Sequence, residues 1–374
     1  MDEKIRIGGG QRKLKNRKLH IELIRIIAMF LIIFIHTGTK GYSLYTQAIG
    51  KPLYPVYMFI CMFSRVAVPL YWMISGALLL GKDESIKDIF KKRILRILIV
   101  LVLFSFIYYL YRIYRRGIYE SFSLSYFFYR LYDNNFSGSD MFHAALWFLY
   151  AYIGMMLILP MLRKVVKVMS KSELKYMYLV CLFFMGILPI LERLFTQGTV
   201  TLARWIAFPS DKFSFVYNIP YFIGGYYFEE IIKEDELNKK DMVKWIIAGI
   251  FTLIVHCLMT QYIYSYSGNL TDTYSAHFTV IIPTFAIYYS IRYLFTKYKP
   301  NQIIRKLIIT VGSTTFGIML LEGILRNELV FIYDYLVPYI HSLPACIVWL
   351  IVVYIAGSLI TLLLKKVPGL RKLI

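Results

Sequence analysis

Residues 20–38 read HIELIRIIAMFLIIFIHTG. Ten consecutive apolar residues separate Arg25 from His36, and no polar face interrupts them. A helix that is apolar all round is buried in protein or in lipid, and roughly 20 such residues cross a bilayer core. A basic segment precedes the stretch, as in a signal peptide, yet the run is too long and His36-Thr37-Gly38-Thr39-Lys40 offers no small-residue cleavage pattern. The stretch is therefore expected to stay as a first transmembrane helix.

The rest of the chain agrees with that expectation. Of its 374 residues 58% are hydrophobic and 17% are charged, and the mean hydropathy is +0.58. A soluble domain carries about 25% charged residues, so the principal solvent here is lipid. The net charge of +21 does not point to nucleic acid, because the Lys and Arg residues sit in short segments between apolar runs. Apolar runs occur near 20–38, 55–80, 94–114, 142–162, 174–191, 213–232, 243–264, 276–295, 306–326 and 344–364. They predict an all-α, polytopic integral membrane protein of about ten transmembrane helices. Alternating the connections places the basic segments 4–18, 82–96, 163–175, 233–244, 297–306 and 365–372 on one side, and the positive-inside rule makes that side, with both termini, cytoplasmic. The domain reading is a basic tail over 1–19, one membrane domain over 20–366 and a short tail over 367–374. Cys61, Cys181, Cys257 and Cys346 lie inside apolar runs without paired spacing and read as packing residues.

Ionisable residues at membrane depth are costly and are functional candidates by default. Arg25 and His36 are eleven residues apart, close to three helical turns, which puts them on one face roughly 16 Å apart along the axis. Their bland alternative is an arginine reaching the headgroups and an interfacial histidine. Arg65 stands in the middle of the second run, too deep to reach the surface easily. Arg93 and Arg96, three apart, are expected to share a helical face, and such a guanidinium fork suits phosphate oxygens. A topogenic charge run attracted to anionic lipid has the same appearance.

Taken together these residues resemble the membrane-bound acyltransferase-3 family. The resemblance rests on Arg25 and His36 with ten residues between them, Arg65 followed by Val68-Pro69-Leu70 and Ser75-Gly76, and the Arg93/Arg96 pair. It extends through Leu146-Trp147-Phe148-Leu149, Tyr221-Phe222-Ile223-Gly224-Gly225-Tyr226-Tyr227 and Thr315-Phe316-Gly317-Ile318-Met319. It implies transfer of an acyl group, usually acetyl, from cytoplasmic acyl-CoA to a hydroxyl of an extracytoplasmic or lipid-linked glycan, in a bacterial plasma membrane. It also implies a catalytic role for His36, a functional partner in Arg25, and coenzyme phosphate contacts in Arg93 and Arg96. Many members carry a histidine where Glu322 stands, so Glu322 is taken as a polar group of that site.

Such a reaction needs a base to accept the sugar hydroxyl proton, and imidazole titrates nearest the working pH. His36 is the expected base, and Arg65 the expected cation beside the developing oxyanion. Trp147 and His143 are expected to line the acceptor pocket, although interfacial anchors look the same. No two histidines have metal-ligand spacing, so no metal is expected. A secondary transporter or flippase is the rival reading, since internal prolines and buried Arg and His also suit a polar path.

Overall fold

The computed structural model describes residues 17–116, 123–132, 146–188, 191, 218–268 and 277–374. Every regular element among them is helical. In chain order these are α1 (Leu19–Ile35), α2 (Tyr54–Ser64), α3 (Ala67–Leu79), α4 (Ile86–Arg115), α5 (Leu124–Tyr132), α6 (Trp147–Val168), α7 (Lys171–Leu182) and α8 (Ile219–Tyr226). They continue as α9 (Lys239–Ser267), α10 (His277–Lys297), α11 (Gln302–Gly312), α12 (Thr315–Glu328), α13 (Val330–Leu336), α14 (Ser342–Leu364) and α15 (Leu370–Leu373).

Five helices among the described residues are long and apolar enough to cross a membrane: Tyr54–Leu79, which joins α2 and α3, then α4, α6, α9 and α14. Six result if α11 and α12 are counted as one broken span. The first expected span appears as α1 with 17 residues, about 26 Å of rise against a hydrocarbon core of about 30 Å. The stretches expected near 174–191, 213–232 and 276–295 are helical where described, but α7 begins on Lys171, Ser172 and Glu173, and α10 carries Arg292.

Helix starts are fixed by side-chain caps in the basic connecting segments. Ser85 accepts from the Asp88 amide at the head of α4, Ser170 and Glu173 form a reciprocal capping box on α7, and Asn238 and Asn301 accept from Asp241 and Ile304 at the heads of α9 and α11. Each satisfies an amide that the helix leaves without a partner. Gly268 closes α9 in the left-handed conformation, φ 64°, with its amide on the Tyr264 carbonyl.

The described helices form two compact units. The first holds α1–α3 and α7–α11. Within it α1 packs against α2, α3, α10 and α11, which is why Ile21, Ile24, Ala28, Met29, Ile32 and Ile33 are all buried. Helices α3 and α8 meet backbone to backbone: a Cβ at Gly76 would fall on the Phe222 carbonyl, and a Cβ at Gly225 on the Met73 carbonyl. The entry to α1 is tied down through Glu229, which lies in a one-turn π segment, Tyr227–Ile231, after α8. Its carboxylate lies 2.8 Å from Lys18 Nζ and 3.0 Å from His20 Nε2, and accepts from the Tyr288 hydroxyl at 2.9 Å. Arg292 donates to the Phe228 and Ile232 carbonyls beside it. A buried carboxylate is tolerated only with such a set of partners.

The second unit holds α4–α6 and α12–α15. Here α4 packs against α5, α6 and α15, and α13 packs against α14. The Tyr108 hydroxyl of α4 donates to the Leu320 carbonyl of α12 at 3.1 Å.

Candidate active site

In the first unit, α1 ends by tightening its last turn: the His36 amide donates to the Ile33 and Ile32 carbonyls at 3.2 and 3.4 Å. His36 is half-buried. The next residue, Thr37, is buried and donates from its hydroxyl to the Phe34 carbonyl at 2.7 Å. The same oxygen accepts from the Tyr42 amide at 2.9 Å. The Tyr42 side chain then accepts from Arg65 Nε at 3.1 Å. Arg65 sits where α2 ends and α3 has not begun, so its side chain springs from a break between two helices. A short polar chain, Thr37–Tyr42–Arg65, thus connects the residue after the histidine to the guanidinium of the next helical pair.

Arg25 is three-quarters buried, and its Nη1 donates to Glu22 Oε1 at 3.0 Å. Arg17 reaches the same oxygen at 3.3 Å. Glu22 is itself buried, and its Oε2 has no hydrogen-bond partner among the described residues. The absence of a side chain at Gly312 leaves room for it, since a Cβ there would overlap that oxygen. Tyr71 donates to the Arg25 carbonyl at 3.4 Å. The sequence therefore pairs Arg25 with a carboxylate one turn earlier, and the arginine enters any reaction already partnered.

In the second unit, Arg93 and Arg96 are held by different partners, and Arg93 lies in a one-turn π segment, Phe90–Ile94, which precedes the α-helical turn that carries Arg96. Arg93 makes a two-pronged ion pair with Glu84, Nη2 to Oε1 at 2.6 Å and Nε to Oε2 at 3.0 Å. Arg163 of α6 adds a bond to Glu84 Oε2 at 2.8 Å. Bonds from the Arg93 guanidinium, and then from Arg163, hold the Glu84 carboxyl down at about 2, well below the ordinary carboxylate range. Arg96 is exposed; its Nε and Nη2 donate to the Leu373 carbonyl at 3.0 and 2.9 Å, and its guanidinium stands 6.0 Å from the Phe316 ring centre.

Trp147 opens α6, half-buried, edge-on to Phe148. Glu322 is fully buried on α12 and bonded to Arg326 Nε at 3.2 Å. His143 lies outside the described residues. His256, for which the sequence suggests no partner, is buried on α9 with its Nδ1 3.1 Å from the Thr279 hydroxyl.

Sequence reasoning missed Thr37, Tyr42, Glu84 and Arg163. Tyr42 is one of 33 tyrosines, and nothing in its neighbourhood distinguishes it. Glu84 carried only a faint signal as one of three acids, with Asp83 and Asp88, just before the basic run at Lys91-Lys92-Arg93.

No curated protein and no solved structure matches the chain. The family model described as an acyltransferase domain matches residues 19–365, which is nearly the whole chain and includes Arg25, His36, Arg65, Arg93, Arg96, Trp147 and Glu322. The chain belongs to the acyltransferase-3 family and is a membrane acyltransferase of several apolar helices.

Proposed function

We propose that this protein transfers an acetyl group from acetyl-CoA to a hydroxyl of an extracytoplasmic or lipid-linked glycan, with His36 as general base. The protein crosses a cell membrane about ten times, with both termini cytoplasmic. The imidazole takes the acceptor hydroxyl proton as the oxygen attacks the thioester carbon; the C–S bond then breaks, and the leaving thiolate recovers that proton. Arg65 faces the oxyanion that develops on the carbonyl. Arg25, held by Glu22, is the functional partner of His36. Arg93 and Arg96 contact the coenzyme phosphates, while Trp147, His143 and Glu322 belong to acceptor recognition.

The observation that carries this reading is the chain from Thr37 through Tyr42 to Arg65. It gives the guanidinium a fixed direction at the end of α1, where a mobile arginine would have to be ordered at each turnover. Family membership supports a transferase over a transporter. The test is mass analysis of surface glycans from cells with and without the protein, together with transfer of label from acetyl-CoA in isolated membranes. The expected result is loss of one acetyl increment in the deleted strain and label in the same glycan; glycans unchanged in mass would remove the acceptor class.

A further inference from the structure

The first unit contains a cavity of about 470 Å³ that shares no residue with the candidate site. Its rim carries Lys171 at the head of α7, Glu236 in the turn before α9, and Asp241 and Lys244 in the first turns of α9; Trp245 and Tyr289 form its wall. Lys171 pairs with Glu236 at 3.2 Å and Lys244 with Asp241 at 3.1 Å, and all four side chains reach solvent. The Tyr289 hydroxyl is engaged by the Asn238 amide at 3.1 Å, so the tyrosine offers mainly its ring.

We propose that this cavity binds the headgroup of a zwitterionic phospholipid carrying a primary ammonium, of the phosphatidylethanolamine type, in the leaflet at the head of α9. Charge is the first argument. Two ammonium groups and two carboxylates leave the rim with no excess of either sign, which disfavours a polyanion and matches a ligand that carries one phosphate and one amine. Each lysine keeps donors for phosphate oxygens, and each carboxylate keeps lone pairs for an ammonium. A Trp and Tyr wall is the composition of the headgroup level of a membrane protein, and ring faces also attract an ammonium.

The second argument is what adjoins the rim. Lys244, Ile247, Phe251, Ile254 and Leu258 are exposed and follow one row of α9. Their spacing gives a rise of about 21 Å, more than half the roughly 30 Å hydrocarbon core. An acyl chain descending from a headgroup at Lys244 therefore has an apolar track along its whole length. The cavity volume falls within the range of small-ligand sites.

The test uses the full-length protein reconstituted from vesicles of equal phosphatidylethanolamine and phosphatidylglycerol, extracted into mild detergent, with the retained lipid counted by native mass spectrometry. The wild type is expected to retain phosphatidylethanolamine in preference by roughly three- to fivefold, the scale of an exposed charge contact. Glu236→Gln with Asp241→Asn leaves Lys171 and Lys244 without counter-charge and is expected to reverse the preference toward phosphatidylglycerol. Trp245→Ala is expected to reduce retention of both lipids. Equal retention by the wild type, or an unchanged preference in the doubly neutralised variant, overturns the proposal. The neutralised positions are solvent-facing, so this arm holds even where Trp245→Ala fails to fold.

Discussion

Arg65 donates from Nε to the Tyr42 hydroxyl at 3.1 Å, and the Tyr42 amide is bonded to the Thr37 hydroxyl at 2.9 Å, one residue after His36. The hydroxyl of Tyr42 is therefore a positioning group for the cation assigned to the oxyanion. Tyr42→Phe keeps the ring and removes one hydrogen-bond acceptor, at a cost in stability of about 1 kcal/mol. Transfer should fall roughly ten- to a hundredfold in kcat with little change in the KM for acetyl-CoA, since only the transition state uses the direction of Arg65. A variant that loses stability at unchanged kcat would make the contact purely structural.

Glu84 holds Arg93 and Arg163 at once, so a coenzyme phosphate must compete with a carboxylate for Arg93. Glu84→Gln should lower stability by about 1–3 kcal/mol, the scale of charged hydrogen bonds. It should also lower the apparent KM for acetyl-CoA by roughly threefold, because the guanidinium is released. Arg93→Ala with Arg96→Ala should move KM the other way. An unaltered KM in both variants returns the pair to a topological role.

The same carboxylate gives a pH signature. Its pKa is depressed in the folded protein to about 2, so the folded state binds fewer protons than the unfolded one between the ordinary carboxylate value and that point. Stability therefore rises with pH across this window. The melting-temperature gap between wild type and Glu84→Gln should stay constant from about pH 8 to about pH 5 and shrink progressively below about pH 4.5. A gap that persists in strong acid would mean that the ion pairs with Arg93 and Arg163 contribute nothing.

Much of the fold was legible because the solvent itself writes the pattern. Apolar runs such as 94–114 and 344–364 appear as α4 and α14, and basic connecting segments carry the caps Ser85, Ser170, Asn238 and Asn301. Breaks inside runs were legible only where a proline stands: Pro69, four residues after Arg65, marks the division of one apolar stretch into α2 and α3, whereas nothing in the sequence announces the π turn at Phe90–Ile94. The candidate residues His36, Arg25 and Arg65 were found by the cost of charge in lipid. Tyr42, the partner of Arg65 from 23 residues away, was not, because a hydrogen bond between distant residues leaves no period in a sequence.

The backbone contact of α3 with α8 gives a prediction about folding alone. Gly76→Ala or Gly225→Ala forces a methyl group onto a carbonyl of the facing helix, and backbone cannot yield as a side-chain tip can. Each should cost about 1–3 kcal/mol or more, up to preventing folding, and the two together should cost less than their sum because they disrupt one interface. Thermal unfolding of the detergent-solubilised protein measures this; a melting temperature unchanged in Gly76→Ala contradicts the packing.

In the proposed reaction the His36 imidazole takes the acceptor proton, and transfer of labelled acetyl from acetyl-CoA by membranes containing equal amounts of wild type and His36→Ala measures this step. Loss of transfer by roughly a hundredfold or more, with insertion and melting temperature retained, is the predicted result. Transfer by His36→Ala at the wild-type rate would contradict the mechanism.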